Sequence, residues 1–373
     1  MNAAFGMIVA VVVSAFAPYQ GNNGTESIGP SPSGKRVIFT ERGTGADSRR
    51  VAVLVRDYKA DGGFVDSKMC GGFSGDDSDP RRDTSLSQWV GWAGGFEWLD
   101  ENRAVFGMNW RELQERRVGV VYWDGDHLGV LREGASSFDL STDGSWIVLG
   151  DQVGEFDGSR IKNIRRYTTR TIVPGSGRAV GTRIYYETEE NRAITLRSFD
   201  ILGDSDREVC SYDGNILGKS RCGALAFMIT RRQPGVKGPP FGDWGLVPGL
   251  PDILIIDSLG TEHWLRVPEE ESDPDQTIRI GRGRFSPDGE RLLVVVTRTN
   301  ERTELTLRDR YYLVDWRKGD WTEIRKPALE GVDLEIFDYW CPDGVWWRTR
   351  WAENGKVVRG WARVEGFDRV EKE

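Results

Sequence analysis

The chain has 373 residues, and its 50 basic and 58 acidic side chains give a net charge of −8. This acidic balance argues against a nucleic-acid partner, because nucleic-acid-binding proteins concentrate lysine and arginine to contact phosphates. With two histidines and no Cys-x-x-Cys pair, the sequence offers no zinc site, and we predict neither a metal nor a cofactor.

The N-terminal segment 3–17, AAFGMIVAVVVSAFA, is apolar and allows two interpretations. Its ending, Ala15-Phe16-Ala17, has the small-residue spacing of an export cleavage site, which predicts a signal peptide over residues 1–17 and a periplasmic or extracellular protein. No lysine or arginine precedes the segment, however, and its valines would also suit a strand that closes a ring of sheets. A cytoplasmic location therefore stays open.

A polar turn closed by glycine precedes a short apolar run at four places in the chain. In Ser286-Pro287-Asp288-Gly289, proline presets φ, aspartate can bond its own backbone, and glycine accepts the positive φ that ends such a turn. The apolar residues 292–296 that follow show no alternation, which favours a strand covered on both faces. The other copies are PSPSGKRVIFTER (30–42), FDLSTDGSWIVLGD (138–151) and YWCPDGVWWRTRW (339–351).

Weaker copies and a second repeated element complete the pattern. Three further segments bring the count to seven, namely 96–110, 175–189 and 217–231. Apolar strands also end repeatedly in an aspartate that glycine soon follows, at Asp57, Asp124, Asp200, Asp257 and Asp315. Each unit thus predicts four antiparallel strands joined in pairs by two kinds of turn. We predict an all-β protein, a single β-propeller domain over residues 25–371 with seven four-stranded blades, six or eight being the alternatives.

The strings FSPDGERLLVV, SPSGKRVIF and STDGSWIVL resemble the repeat of TolB-like β-propellers, which also occurs in the propeller domains of prolyl-oligopeptidase-type peptidases. The resemblance covers most of the chain and implies the propeller fold and, by analogy, work in the cell envelope. It says little about activity, because the motif specifies a hairpin and one fold hosts many functions. The chain departs from the peptidases in having no Gly-x-Ser-x-Gly motif.

Several polar motifs have a structural interpretation. His127 falls in a predicted turn and His263 near a predicted strand, and we interpret both as structural or surface residues. The segment 214–220, GNILGKS, has three residues between its glycines where a phosphate-binding loop has four, so we predict no nucleotide site. The acidic clusters 76–79 and 269–275 lack the spacing of a calcium loop and are predicted to be solvated.

The four cysteines allow two bridges between neighbouring blades, Cys210 to Cys222 and Cys70 to Cys341. Such bridges would suit an oxidising compartment. Isolated buried thiols are the alternative interpretation, so the cysteines do not fix the location of the protein.

The segment 233–251, QPGVKGPPFGDWGLVPGLP, is longer than a blade needs between two strands. Long loops on a rigid scaffold commonly carry function, and exposed aromatic side chains are typical anchors in interfaces. Phe241, Trp244 and Leu246 are therefore our interaction candidates, although they would equally serve as cover for the propeller surface. The excursion 71–95, with two tryptophans, allows the same pair of interpretations.

These observations predict a non-catalytic binding or scaffold module of the cell envelope that mediates protein–protein interaction. The alternative is a carbohydrate-active enzyme, a glycoside hydrolase or lyase, that uses a pair of carboxylates in the central cleft and takes a glycan as its ligand. The sequence assigns no catalytic residue, because 58 acidic side chains without a fixed spacing offer no unique pair. The partner and the oligomeric state stay open.

Overall fold

A computed structural model describes most of the chain, and all regular secondary structure in that part is β-strand. The described residues are 12–19, 26–42, 51–59, 64–71, 89–112, 115–125, 127–135, 137–190, 193–219, 225–230, 252–268, 276–300, 303, 306–342, 344–353, 356–368 and 370. None of them belongs to a helix long and apolar enough to cross a membrane. The prediction of an all-β fold is confirmed.

The strands pair antiparallel in six sheets, which follow one another in chain order. The first strand and first sheet are β1 (Val12–Tyr19), β2 (Glu26–Pro30), β3 (Arg36–Arg42), β4 (Val51–Tyr58) and β5 (Phe64–Gly71). The second and third sheets are β6 (Trp89–Trp98), β7 (Ala104–Glu112), β8 (Glu115–Trp123), β9 (Leu128–Glu133), β10 (Asp139–Leu140), β11 (Trp146–Leu149), β12 (Gln152–Phe156) and β13 (Ile161–Arg166). The fourth sheet is β14 (Arg178–Val180), β15 (Arg183–Glu190), β16 (Ala193–Asp200), β17 (Ser205–Lys219), β18 (Leu225–Thr230), β19 (Asp252–Ile256) and β20 (Glu262–Arg266). The last two sheets contain β21 (Gln276–Phe285), β22 (Arg291–Asn300), β23 (Thr306–Asp315), β24 (Asp320–Ile324), β25 (Val332–Cys341), β26 (Gly344–Glu353) and β27 (Lys356–Glu365).

The sheets form a closed ring, which is the arrangement of a β-propeller. Neighbouring sheets contact one another around the ring, and β2 of the first sheet meets β25 of the last. The strand β1 completes the last sheet by pairing with β27. This pairing is what the closing-strand interpretation of the N-terminus expects, and it places Ala17 and Pro18, which flank the predicted cleavage position, inside a strand.

The ring contains six sheets, so the predicted count of seven separate blades is not confirmed. One sheet has seven strands because β17 is a single uninterrupted strand. Residues 205–212 of β17 pair with β16, and residues 213–219 pair with β18. The fourth and fifth predicted units therefore share one strand and belong to one sheet.

The Ser/Asp/Gly turns have the predicted conformation. The Gly289 amide donates a hydrogen bond to the Ser286 carbonyl over 2.8 Å, and the Ser286 hydroxyl donates to the Asp288 carboxylate. Gly289 has a φ of 72°, a left-handed value that glycine adopts more readily than residues with a Cβ. The same amide-to-carbonyl bond closes the turns 31–34 and 141–144.

The two kinds of turn lie at one end of the ring. In each four-stranded sheet a turn joins the first strand to the second, and in all of them except the last, whose fourth strand is β1, another turn joins the third strand to the fourth. Because paired strands run antiparallel, these turns share an end, which we call the turn end. The links from second to third strands lie at the opposite end, which we call the connection end. The turn between β19 and β20 lies beside Gly181 and Arg183 of the turn end, so the described ends of the link between β18 and β19, residues 231–251, lie at the connection end.

The interfaces between sheets bury the core. Leu292, Val294 and Val296 of β22 pack into one interface, whereas Leu293 and Val295 of the same strand pack into the next. All five side chains are buried, which confirms the prediction of a strand covered on both faces. In the last sheet, the side chains of Trp346 and Trp347 are also fully or almost fully buried.

The predicted disulfide bridges involve residues whose side chains are not described. Cys222 lies outside the described residues, and so does the side chain of Cys70. Cys341 is buried, and its thiol lies 3.9 Å from the carbonyl oxygen of Ser31, in the first sheet. This contact joins the last sheet to the first where the ring closes.

Candidate binding cleft

A cleft opens at the turn end of the ring, between the third sheet and the fourth. Its volume is about 440 Å³. The residues that line it include Trp146, Glu155, Phe156, Asp157, Lys162 and Leu202. They come from a hairpin of the third sheet and from the turn between β16 and β17, so the cleft exists only when the two sheets stand side by side.

Trp146 supplies the apolar floor, and Leu202 one side of the mouth. Half-buried Trp146 packs against the core between the third and fourth sheets, whereas the side chain of Phe156, which also lines the cleft, belongs to the core between the second and third. Leu202 lies at the mouth, where 72 % of its surface is exposed. A concave site with an apolar floor and a few polar groups is the usual form of a ligand-binding site.

The polar rim is built around Asp157. The Lys162 ammonium lies 3.0 Å from Oδ2 of this carboxylate, and the amides of Ser159 and Arg160 donate to its Oδ1 over 3.1 and 2.8 Å. The hydrogen bonds from Lys162 and from these amides hold the pKa of Asp157 far below its ordinary value. Asp157 is therefore an ionised, fully engaged carboxylate that has no proton to give to a substrate.

Two strained residues stand beside the cleft. Asn163 and Asp204 have φ values of 50° and 48°, and no other non-glycine residue in the described part of the chain has a positive φ. Each is held by a side-chain hydrogen bond, from Asn163 to Glu155 over 2.9 Å and from Arg165 to Asp204 over 2.8 Å. Backbone strain of this kind persists where surrounding contacts impose it, and it is concentrated at functional sites.

Several aspartates in the described turns have lowered pKa values. Every described carboxyl group whose pKa departs from its ordinary value departs downward. In Asp143, for example, burial favours the neutral acid, but hydrogen bonds from Ser141 and Ser145 outweigh it and lower the pKa. The cause is therefore the hydrogen bonding that holds each turn.

The interaction candidates Phe241, Trp244 and Leu246 lie outside the described residues, as do the acidic clusters 76–79 and 269–275. The described ends of the link that carries the three candidates, Thr230 and Asp252, lie at the connection end. The structure therefore neither brings the candidates to the cleft nor tests them.

Both histidines make local contacts within turns. His263 Nε2 lies 3.3 Å from Asp257 Oδ2, and its ring packs edge-on against Trp316 with centroids 5.0 Å apart. His127 is 81 % exposed, with Nδ1 3.7 Å from Asp124 Oδ1. These contacts agree with a structural or surface role for each.

The phosphate-loop-like segment has the conformation of a strand. Gly214 lies opposite Ile229 and Lys219 opposite Leu225, so the segment is part of the pairing between β17 and β18. A phosphate-binding loop instead wraps its amides around the anion at a helix N-terminus. The described residues of the segment have no such geometry.

Sequence reasoning missed the cleft, although two signals for it are visible. Residues 158–186 contain seven lysine and arginine side chains and no aspartate or glutamate, within a chain of net charge −8. The turns after Asp200 and Asp257 also share the pattern Asp-x-Leu-Gly, which places an apolar residue in a tight polar turn. Both signals lie at the turn end of the third and fourth sheets.

Comparison with known proteins gives similarity of fold. No protein-family model and no curated protein sequence match the chain. Among solved structures, a prolyl endopeptidase is similar with a TM-score of 0.48 and 12 % identity, over 88 % of this chain and 46 % of that chain. An Agrobacterium tumefaciens protein that has been assigned as TolB is similar with a TM-score of 0.34 and 13 % identity, over 82 % of each chain. A Lactobacillus plantarum protein is similar with a TM-score of 0.42 and 12 % identity, over 90 % of this chain and 96 % of that chain.

Proposed function

We propose that this protein is a non-catalytic propeller that binds another protein, and that the cleft between the third and fourth sheets is its binding site. The observation that supports the proposal is the apolar surface that Trp146 and Leu202 give the cleft, enclosed by a rim whose conformation is fixed by ion pairs and strained residues. A preorganised apolar site on a rigid scaffold reduces the entropy lost on binding.

We further propose that the protein works in the cell envelope as a TolB-like propeller. The three matching Ser/Asp/Gly turns support the family, and the apolar N-terminus supports export. Cleavage after Ala17 would remove residues 12–17 of β1 from the last sheet. Mass spectrometry of the protein from its native cells therefore separates a cleaved signal peptide from a closing strand, since the intact chain retains Met1 or Asn2.

The blade count belongs to the same proposal. We propose that the seven-stranded sheet works as two four-stranded blades that share β17, one built on residues 205–212 and the other on residues 213–219. The change of partner between Tyr212 and Asp213 supports this division. It would give seven structural units around the ring.

A glycan is the second candidate ligand. Trp146 shares the cleft with Glu155 and Asp157, and an aromatic ring beside carboxylates is suited to stacking on a sugar and bonding its hydroxyl groups. The Lys162 contact and the lowered pKa of Asp157 support binding of such a ligand without hydrolysis. A glycan array on the wild type, with a hydrolysis assay on any ligand found, tests this candidate.

Phe241, Trp244 and Leu246 remain a second proposed contact surface, on the link whose described ends lie at the connection end. Affinity capture from the native cell envelope separates the two surfaces. We expect Leu202→Asp to abolish retention of the partner, because it puts a charge at the apolar mouth of the cleft. Val130→Asp, at an exposed valine of β9, is the matched control and should retain it.

The double variant Phe241→Ala/Trp244→Ala completes the experiment. Loss of the partner in that variant alone would move the binding site to the link 231–251 and contradict the proposal for the cleft. Equal retention by the wild type and Leu202→Asp would contradict it as well.

A further inference from the structure

Two neighbouring turns each have a solvent-exposed leucine at their third position. The turns are Asp200-Ile-Leu202-Gly203 and Asp257-Ser-Leu259-Gly260. Leu202 is 72 % and Leu259 is 85 % exposed. In each turn the leucine amide donates to Oδ1 of the aspartate, over 3.0 and 2.9 Å, so the two side chains are presented from turns of fixed conformation.

The turn itself does not require leucine. After Asp157, Ser159 occupies the equivalent position and makes the same amide-to-carboxylate bond over 3.1 Å. A single exposed apolar residue needs no explanation. Two leucines at matching positions of adjacent turns, one of them at the mouth of the cleft, therefore need an explanation other than the folding of the turn.

Contacts between the turns place the turn 181–182 between the two leucines. Leu202 and Thr182 both line the cleft. On the other side of Thr182, a Cβ added to Gly181 would meet the carbonyl oxygen of Ser258 at 3.8 Å, and Ser258 directly precedes Leu259. The turn 181–182 therefore lies between the leucines, and a compact ligand in the cleft reaches Leu202 but not Leu259.

The guanidinium group of Arg183 lies between the turns that carry the two leucines. Arg183 Nη2 is 3.6 Å from Asp200 Oδ2, in the turn of Leu202, and a Cβ added to Gly260, in the turn of Leu259, would meet Arg183 Nε at 3.5 Å. The distance to Asp200 is that of an ion pair rather than a hydrogen bond, so Arg183 retains N–H donors for another acceptor. Its side chain is 34 % exposed.

The carboxylates beside this surface already have partners: two are engaged by their own turns, and Glu155 accepts a hydrogen bond from Asn163. Asp200 accepts hydrogen bonds from the amides of Leu202 and Gly203, and Asp157 accepts from two amides and from Lys162. Arg183 and Lys162, with five and three N–H donors, have more donors than these contacts use. The surface therefore favours a ligand that supplies oxygen acceptors, above all a carboxylate.

We propose that the cleft and the two leucine turns form one docking surface for an extended peptide segment of the partner protein, with two apolar side chains that flank an aspartate or glutamate. One apolar side chain enters the cleft beside Leu202, the acidic side chain meets Arg183, and the second apolar side chain packs on Leu259. This proposal rests on the proposed function and specifies its partner.

Selection from a phage library of short random peptides, with the full-length protein as target, tests the proposal. We expect the enriched peptides to share two apolar positions with an acidic residue between them. Leu202→Ser and Leu259→Ser should each weaken their binding about tenfold, the scale of one lost apolar anchor. Val130→Ser is the matched control, and thermal unfolding confirms that each variant is folded.

Arg183→Gln tests the acidic position. We expect it to weaken the acidic peptide about tenfold and to leave the corresponding asparagine or glutamine peptide unchanged, whereas a merely structural role would weaken both. Arg207→Gln, at an exposed arginine of β17 that also forms an ion pair, is the matched control and should leave both peptides unchanged.

The possible failures are distinguishable. If Leu202→Ser weakens the peptides but Leu259→Ser and Arg183→Gln do not, the extended surface is wrong and the cleft stands as the binding site. If no peptide is enriched, or if none responds to Leu202→Ser, the proposed function and this proposal both fail.

Discussion

The turn after Asp157 and the turn after Asp257 have the same local bonds but present different side chains. The aspartate of each accepts a hydrogen bond from the amide two residues later, which belongs to Ser159 in one turn and to Leu259 in the other. Both side chains are exposed. Because either residue satisfies the turn, the fold is determined by the aspartate, and the residue two positions later is available for contact with other molecules.

The largest effect on the free energy of unfolding is expected in the core, at Trp347. This side chain is fully buried between the last two sheets, against Tyr311 and Phe337. Trp347→Ala should lower the free energy of unfolding by about 3–5 kcal/mol, because it removes a large apolar side chain and leaves a cavity. Urea denaturation measures this loss. Leu259→Ser should change stability by less than about 0.5 kcal/mol, and a comparable loss in both variants would contradict the separation of fold and contact surface.

A smaller effect on stability is expected at Asp257, the first residue of its turn. Burial would raise the pKa of Asp257, but hydrogen bonds from the Thr261 amide, His263 and the Leu259 amide outweigh it, so the pKa is lowered. Asp257→Ala should cost about 1–2 kcal/mol at neutral pH, as the loss of a capping side chain does.

The pH dependence of this loss follows from the direction of the shift. A carboxyl group whose pKa is lower in the folded than in the unfolded chain stabilises the fold above about pH 4, and that contribution is lost as the pH falls through the folded value. The difference in stability between wild type and Asp257→Ala should therefore shrink between about pH 4 and pH 2. A difference that stays constant over this range would show that the carboxylate does not stabilise the turn.

The smallest effect concerns a glycine at the turn beside the cleft. Gly144 has a φ of 70°, and a Cβ added there would meet nothing within 4 Å. Gly144→Ala should therefore cost about 1 kcal/mol, from the left-handed backbone alone. Gly144→Asn should cost less, since asparagine tolerates this conformation better. Equal losses in the two variants, measured by thermal unfolding, would contradict this explanation.

The sequence predicts those features that depend on neighbouring residues. The turn at 286–289 follows from proline, aspartate and glycine within four positions, and the strand at 292–296 follows from its apolar run. The number of sheets does not follow. Asp213 and Gly214, a pair typical of tight turns, stand where β17 passes from one partner strand to the other, yet β17 continues through them as one strand. A local turn signal therefore does not say whether one strand ends and another begins there.

The cleft depends on contacts between distant residues. Trp146 and Leu202 are more than fifty positions apart, and only the stacking of the third sheet on the fourth brings them together. The sequence also predicts the turn after Asp257, but not the exposure of Leu259, because exposure depends on what the neighbouring sheet covers. The conformation of Asp204 likewise depends on Arg165 of the third sheet, whereas Asn163 is held by Glu155 of its own hairpin.

The most direct test of the central claim is a methyl NMR titration of leucine-labelled protein with a peptide enriched on the wild type. The signals of Leu202 and Leu259 are assigned by their absence from the spectra of Leu202→Ser and Leu259→Ser. Our account predicts that both signals shift together with one dissociation constant, while the buried Leu292 and Leu293 stay unchanged. Shifts that leave both exposed leucines unaffected would contradict binding at the turn end.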